Sequence, residues 1–169
     1  MGYSWVYVGD AVLDDAARAA WLATAVDPLE HAEALAGLDG FVAIEEEAAY
    51  AGLTVGSLLE EIAAVGDPAR IAVGGPIAIR VIADKSGDAW LTYRVDLVAA
   101  FALLARFGGR GRLEVFGFDD GPDDGFRVDV GPSGVTTAIL DQEEVLALRS
   151  SDRYRDEVLA LAEEAWGEG

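Results

Sequence analysis

The chain has 169 residues, with 31 Asp and Glu against 12 Lys and Arg, and its formal net charge at pH 7 is −19. A surface this acidic repels nucleic acids and anionic membranes, and it attracts basic proteins or cations. The chain has no Cys and a single His, which excludes disulfides, zinc–thiolate centres, iron–sulfur clusters and multi-histidine metal sites.

Hydrophobic residues make up 52% of the chain and the mean hydropathy is +0.24, so we expect residues 1–169 to fold as a single globular domain. The longest apolar run, Leu97–Ala105, is about half as long as a bilayer span requires. The first residues have neither the basic nor the apolar region of a secretory signal. We therefore expect a soluble, cytoplasmic protein.

The first part of the chain is predicted to form a strand followed by two helices. Tyr3–Val8 has the composition of a short strand, and the apolar spacing in Asp14–Val26 predicts a helix. Asp27-Pro28 begins the next helix, with proline at a position where its missing N–H costs nothing. His31 is expected to point to solvent there, together with its glutamate neighbours. The apolar face of this helix is predicted to comprise Leu29, Ala32 and Ala36.

The middle of the chain changes from helical to strand-like periodicity. Leu53–Val65 is amphipathic, and Ser57 with Glu60 fits a helix capping box. Ile77–Ala83 and Ala89–Val95 are strand-like runs, and the polar residues 84–88 between them predict a hairpin. Asp96 is then expected to cap a deeply buried helix that runs to Phe107, because the residues that follow it are apolar on all sides.

The C-terminal part is predicted to be a meander followed by two helices. The three strands are Leu113–Phe118, Phe126–Val130 and Val135–Leu140, and Asp141 with Glu144 caps the first helix. The fold class is therefore α+β: a mostly antiparallel sheet, made of a hairpin and a three-stranded meander, packed with about five to six helices. The predicted core residues are Trp5, Leu58, Ile62, Ile79, Val81, Phe101, Leu104, Val115, Val128 and Leu161.

The densest acidic cluster is Asp119, Asp120, Asp123 and Asp124. Asp and Gly favour a turn here. Three interpretations of this turn are open: a solvated hairpin connection, a calcium-binding loop, or a protruding acidic surface for a basic partner. An EF-hand loop that starts at Asp119 requires Glu at its twelfth position, where this chain has Val130. Of the two functional alternatives, the sequence favours the acidic surface.

Other candidate site residues are few. Glu45, Glu46 and Glu47 form a second acidic cluster that we expect to contact the same partner. Trp90 shares a predicted strand face with Thr92 and Arg94, which is typical of a half-exposed binding surface. The glycines at 74–75 and 108–111 lack the strand, glycine, helix order of a phosphate-binding loop. His31 lies among surface residues and is not expected to act as a base.

These observations predict no catalytic residue, no metal ligand and no cofactor. We expect a binding protein whose partner is a basic protein, neither nucleic acid nor membrane. The sharpest hypothesis is an immunity protein that neutralises a cationic bacterial toxin of the nuclease type, because such toxins need a positive cleft for phosphate. The alternatives are a small carboxylate-dependent hydrolase, with or without Mg²⁺ or Ca²⁺, and a DNA mimic that inhibits a DNA-binding protein. Acidity from adaptation to salt is a further explanation.

Overall fold

The computed structural model describes residues 4–38, 41, 53–64, 68–84, 89–119 and 121–167, with the backbone alone for 84 and 89–94. Short 3₁₀ helices occur at Pro28–His31, Ala36–Leu38 and Leu103–Phe107, and a π-helical segment at Tyr154–Leu159. The other elements, in chain order, are β1 (Ser4–Val12), α1 (Asp15–Leu22), α2 (Val55–Ala64), β2 (Ala69–Ala72), β3 (Ile77–Asp84), α3 (Ala89–Ala102), β4 (Arg110–Gly117), β5 (Gly125–Gly131), β6 (Gly134–Leu140), α4 (Gln142–Arg149) and α5 (Ala160–Trp166).

The six strands form one antiparallel sheet in the order β2-β3-β1-β4-β5-β6. This confirms the α+β class and the predicted meander of β4, β5 and β6. The meander packs tightly at Gly125, where an added Cβ would lie 2.1 Å from the Val115 carbonyl oxygen. Gly134 begins β6 with a φ of 107°, a conformation that glycine adopts without strain.

The predicted hairpin between Ile77–Ala83 and Ala89–Val95 is wrong in its second half. The first run is strand β3, but the second is the N-terminal half of helix α3. The alternating pattern was ambiguous, because Leu91, Val95 and Val98 also recur at helical spacing. Asp96 therefore lies inside a helix, fully buried, and does not cap one. The hairpin partner of β3 is instead the short strand β2.

Two local predictions in the helices also need correction. The predicted helix after Asp27 is a short 3₁₀ turn, and its apolar face is not the predicted one: Leu29 is exposed, whereas Leu35 and Leu38 are buried. Helix α2 is confirmed, but Thr54 caps it instead of Ser57, because the Ser57 N–H donates to the Thr54 hydroxyl over 3.1 Å. The capping box of Asp141 and Glu144 is confirmed.

Helices α1, α2 and α3 cover one face of the sheet and form the main core with it. Trp21 of α1 donates its indole N–H to the Ala100 carbonyl oxygen over 2.9 Å, which ties α1 to the buried part of α3. Phe101 is fully buried and lies below Gly9, where an added Cβ would be 3.3 Å from its ring. All ten predicted core residues are buried.

The other face of the sheet is covered by α4, the π-helical segment and α5. This second core consists of Val6, Val8, Ile82, Phe116, Leu140, Val145, Tyr154, Val158 and Ala162. Strand β1 is buried on both faces, which agrees with its continuous apolar run. None of the helices in the described ranges is long and apolar enough to cross a membrane.

Candidate functional site

The β4–β5 loop, residues 118–124, carries most of the predicted acidic surface and is held by hydrogen bonds. The Phe118 N–H donates to the Ser4 carbonyl oxygen over 2.9 Å, and the Gly121 N–H donates to the Phe118 carbonyl oxygen over 2.7 Å. Asp119 has a left-handed backbone (φ 46°), which Asp tolerates, and its N–H donates to the Tyr154 hydroxyl over 3.0 Å. The loop is therefore a fixed turn packed against the π-helical segment.

Arg149, at the end of α4, attaches the same loop to the helix. Its Nη1 atom lies 2.5 Å from Oδ1 of Asp123, and Oδ2 of Asp123 accepts a hydrogen bond from the Gln142 amide over 3.1 Å. The hydrogen bond from Arg149, together with that from Gln142, lowers the pKa of the Asp123 carboxyl. The guanidinium also donates to three loop carbonyl oxygens, those of Gly117 (2.8 Å), Gly121 (3.2 Å) and Pro122 (2.6 Å).

The register of β5 and β6 adds further carboxylates to this loop. Gly125 pairs with Leu140, so the residues just outside that pair, Asp124 and Asp141, are neighbours. Both are exposed, as are Asp119 and the helix residue Glu143. We call this surface the acidic patch; it comprises Asp119, Asp123, Asp124, Asp141 and Glu143. The fold thus brings the described aspartates of the predicted cluster next to the start of α4. The sequence analysis did not predict this contact.

The remaining predicted site residues are not part of the acidic patch as described. Asp120 and the cluster of Glu45, Glu46 and Glu47 lie outside the described residues. Trp90 lies in α3 and not on a strand. Among the residues that the structure describes, no group of three or more His, Asp or Glu side chains could hold a metal ion.

The predicted solvent-facing His31 is half-buried instead. Burial lowers the pKa of its imidazole, opposed by the charge of Glu30.

A groove between the second face of the sheet and α4 is a concave feature that the sequence did not predict. Its volume is about 260 Å³, and a smaller cavity of about 30 Å³ continues from it toward Val8 and Phe116. We call it the Glu114 groove, since Glu114 borders both parts. Its other lining residues include Arg127, Leu140, Glu144, Ala147 and Leu148.

Glu114 is the unusual group in this groove. It is 8% exposed, and no hydrogen bond or ion pair connects its carboxylate to another residue of the described ranges. Burial raises the pKa of the Glu114 carboxyl, opposed by the charges of Arg112 and Arg127. Strand alternation places Glu114 on the sheet face opposite to the main core, and the second helical layer buries it there.

Arginine and carboxylate groups beside the groove neutralise one another. Arg80 is buried, and its guanidinium lies 2.9 Å from Oδ1 of Asp10 and 3.0 Å from Oε2 of Glu157. Arg153 pairs with the same two carboxylates. This network fixes the π-helical segment on the sheet, because separating the two layers would leave the buried Arg80 guanidinium without the Glu157 carboxylate.

The comparisons with known proteins give no relative from which a function could be taken. No family model, no curated protein and no solved structure matches the chain. The functional interpretation therefore depends on the charges and geometry of the chain itself.

Proposed function

We propose that this chain is an acidic binding protein for a basic protein partner, and that its role is inhibition and not catalysis. The observation that carries the proposal is how the arginines are used. Of the arginine side chains that the structure describes, all except Arg110 form ion pairs with carboxylates of the same chain. These are Arg18, Arg70, Arg80, Arg106, Arg112, Arg127, Arg149, Arg153 and Arg155.

The excess carboxylates consequently face solvent without an internal partner. In the acidic patch, Asp119, Asp124 and Glu143 are exposed and form no ion pair with a described residue. Asp119 and Asp124 stand on a turn whose backbone is fixed by Arg149 and Tyr154, and Glu143 stands in the first turn of α4. A fixed array of like charges attracts a positive surface at long range and accelerates association.

The sharpest form of the proposal is a cytoplasmic immunity protein that covers the cationic cleft of a nuclease-type toxin. The charge of −19 supports it, since it far exceeds the magnitude of about 2–8 that serves the solubility of a small domain. We place the contact at the acidic patch and include Asp120 among the proposed contact residues. Glu45, Glu46 and Glu47 are proposed as a second contact region, and Trp90 as a further contact residue.

A capture experiment at low salt tests the proposal. The bait is the full chain, and the lysate comes from the organism that encodes it. The patch variant carries Asp119→Asn, Asp124→Asn and Glu143→Gln, which removes three charges and leaves the Asp123–Arg149 pair and the Asp141 cap intact. The control variant carries Glu33→Gln, Glu61→Gln and Glu163→Gln, which removes three charges from other exposed positions.

The expected result is a basic protein that the wild type and the control variant retain, that salt elutes, and that the patch variant loses. A further variant with Glu45→Gln, Glu46→Gln and Glu47→Gln tests the second region. Equal capture by the patch and control variants would mean that net charge alone, and not this surface, is responsible. Capture of neutral or acidic proteins alone would overturn the proposal.

A further inference from the structure

Most of the charged side chains that border the Glu114 groove are paired with one another. On the sheet face that carries the groove, Arg112 lies 2.7 Å from Asp129, and Arg127 lies 3.4 Å from Asp129 and 3.9 Å from Glu144. Four arginines beside the groove are thus paired with four carboxylates, whereas Arg110, which shares this face of β4 with Arg112 and Glu114, forms no ion pair with a described residue. The matched groups are Arg80, Arg112, Arg127 and Arg153 with Asp10, Asp129, Glu144 and Glu157.

The Glu114 carboxylate takes part in none of these ion pairs. Its side chain is more than nine-tenths buried, borders both parts of the groove, and makes no hydrogen bond or ion pair with any other described residue. A buried carboxylate in this state is costly unless a positive charge or a proton accompanies it. Arg127 lies opposite Glu114 in the β4–β5 register, but neither its guanidinium nor that of Arg112 pairs with the Glu114 carboxylate, so the groove has room for one further cation beside it.

The walls of the groove define the rest of the ligand. Leu140, Ala147 and Leu148 present aliphatic surface beside the carboxylate. The volume of about 260 Å³ compares with about 15 Å³ for a single water. A small metal ion would not use the aliphatic walls, whereas an alkyl stem that ends in a cation would use both features.

We propose that the Glu114 groove binds an amphipathic monocation, a guanidinium or ammonium group on an aliphatic stem, with the Glu114 carboxylate as its counter-ion. The same chemistry has two sources: a free small amine or guanidine, or a Lys or Arg side chain of a bound protein. The second source rests on the proposed function, because it requires a basic partner. The first does not.

Binding of n-butylguanidinium to the full chain tests the inference, with the neutral isostere n-butylurea as the control ligand. The carboxyl resonance of Glu114 and the dissociation constant are followed by NMR. We expect n-butylguanidinium to bind and to shift this resonance, and n-butylurea to do neither. Glu114→Gln should weaken binding by about tenfold or more, the effect of losing a charged hydrogen bond. Glu33→Gln, which removes an exposed charge outside both the groove and the acidic patch, should leave it within about twofold.

If Glu114→Gln fails to fold, titration of Glu114 in the wild type, with and without n-butylguanidinium, tests the inference instead. A bound cation favours the ionised carboxylate, so saturation should lower the titration midpoint of Glu114 by about one pH unit or more, one unit being a tenfold preference. An unchanged midpoint, or equal binding of n-butylurea, would overturn the inference. The charged groups that act on the Glu114 carboxyl are Arg112, Arg127, Asp129 and Glu144. Arg153 lines the smaller cavity together with Glu114.

A third ligand distinguishes the two sources. A capped tripeptide with arginine between two glycines is compared with the same peptide carrying citrulline, which is neutral. Binding of the arginine peptide about tenfold more tightly than n-butylguanidinium identifies a protein side chain, whereas weaker binding identifies a free small molecule. Since these probes need no natural partner, their failure leaves the capture experiment at the acidic patch unaffected, and the reverse also holds.

Discussion

The guanidinium of Arg149 and the carboxylate of Asp123 are 2.5 Å apart, and this contact joins the end of α4 to the β4–β5 loop. Side-chain exposure is 11% for Arg149 and 40% for Asp123, so the pair lies partly out of water. Asp123 is consequently a structural member of the acidic patch, and its neighbours Asp119 and Asp124 are the members with free charge. A variant that neutralises the whole cluster would change both binding and folding.

Replacement of Arg149 by Ala should reduce the free energy of unfolding by about 2–4 kcal/mol, because it leaves the carbonyl oxygens of Gly117, Gly121 and Pro122 without this charged donor. The loss is measured by urea unfolding of both proteins. Arg155→Ala is the matched control, since Arg155 pairs at the surface with Asp152 and Asp156 and should cost less than about 1 kcal/mol. Similar losses in the two variants would mean that Arg149 does not hold the loop.

Replacement of Glu114 by Gln should raise stability at neutral pH and have no such effect in acid. Burial raises the pKa of Glu114 in the folded state above its ordinary value of 4.5, so the folded state binds this proton more tightly than the unfolded state does. The cost of ionisation is therefore absent below the unfolded pKa and appears as the pH rises through the folded pKa.

Urea unfolding of the wild type and of Glu114→Gln, from a pH below the ordinary Glu pKa of 4.5 up to neutral pH, measures this difference in the free energy of unfolding. Any lost negative charge relieves repulsion in a chain of net charge −19, so Glu143→Gln serves as the control for that general effect. The difference between Glu114→Gln and the wild type should shrink as the pH falls. A constant difference, equal to that of the control, would contradict the burial argument.

Replacement of Phe101 by Ala should destabilise the fold by about 3–5 kcal/mol, the range for a fully buried aromatic residue. The ring is fully buried between α3 and the sheet and touches the backbone near Gly9. Leu146 of α4 is 45% exposed, and Leu146→Ala is therefore the control. It should lower the free energy of unfolding by less than about 1 kcal/mol. A small loss for Phe101→Ala would show that α3 is not central to the core.

The sequence was most informative where one face of an element meets the core. The strands of the meander alternate clearly, and for that reason Val115 and Val128 were placed correctly in the core. It was least informative where two periods overlap. In Ala89–Val95 the alternation of a strand and the spacing of a helix fit the same residues, and the tertiary packing of a continuous α3 decided between them.

The candidate site was predictable only in part, because its two halves come from distant parts of the chain. The carboxylates of the β4–β5 loop are visible in the sequence, but their contact with α4 depends on Arg149, which follows 26 positions after Asp123. Burial of Glu114 likewise depends on α4 and the π-helical segment crossing the second face of the sheet. The apolar run of β1 on both faces was the available signal for that second layer.

Neutralising the acidic patch should slow association with the basic partner and shift the melting temperature no more than the charge-matched control variant does. The variant with Asp119→Asn, Asp124→Asn and Glu143→Gln removes exposed charges and keeps every hydrogen bond of the loop that Arg149 and Tyr154 make. Asn at position 119 tolerates the left-handed backbone of Asp119. Stopped-flow association at several salt concentrations is the measurement.

The salt dependence identifies the mechanism. Raising the ionic strength from 0.1 M to 1 M shortens the Debye length from about 10 Å to about 3 Å, so the wild-type rate should fall steeply while the rate of the patch variant changes much less. Dissociation should differ little, since charges at the rim of an interface act mainly on the approach of the partner. The control variant at Glu33, Glu61 and Glu163 should follow the wild type. If the patch variant instead associates at the wild-type rate in low salt, the β4–β5 loop is a solvated turn, and the partner binds elsewhere on the chain.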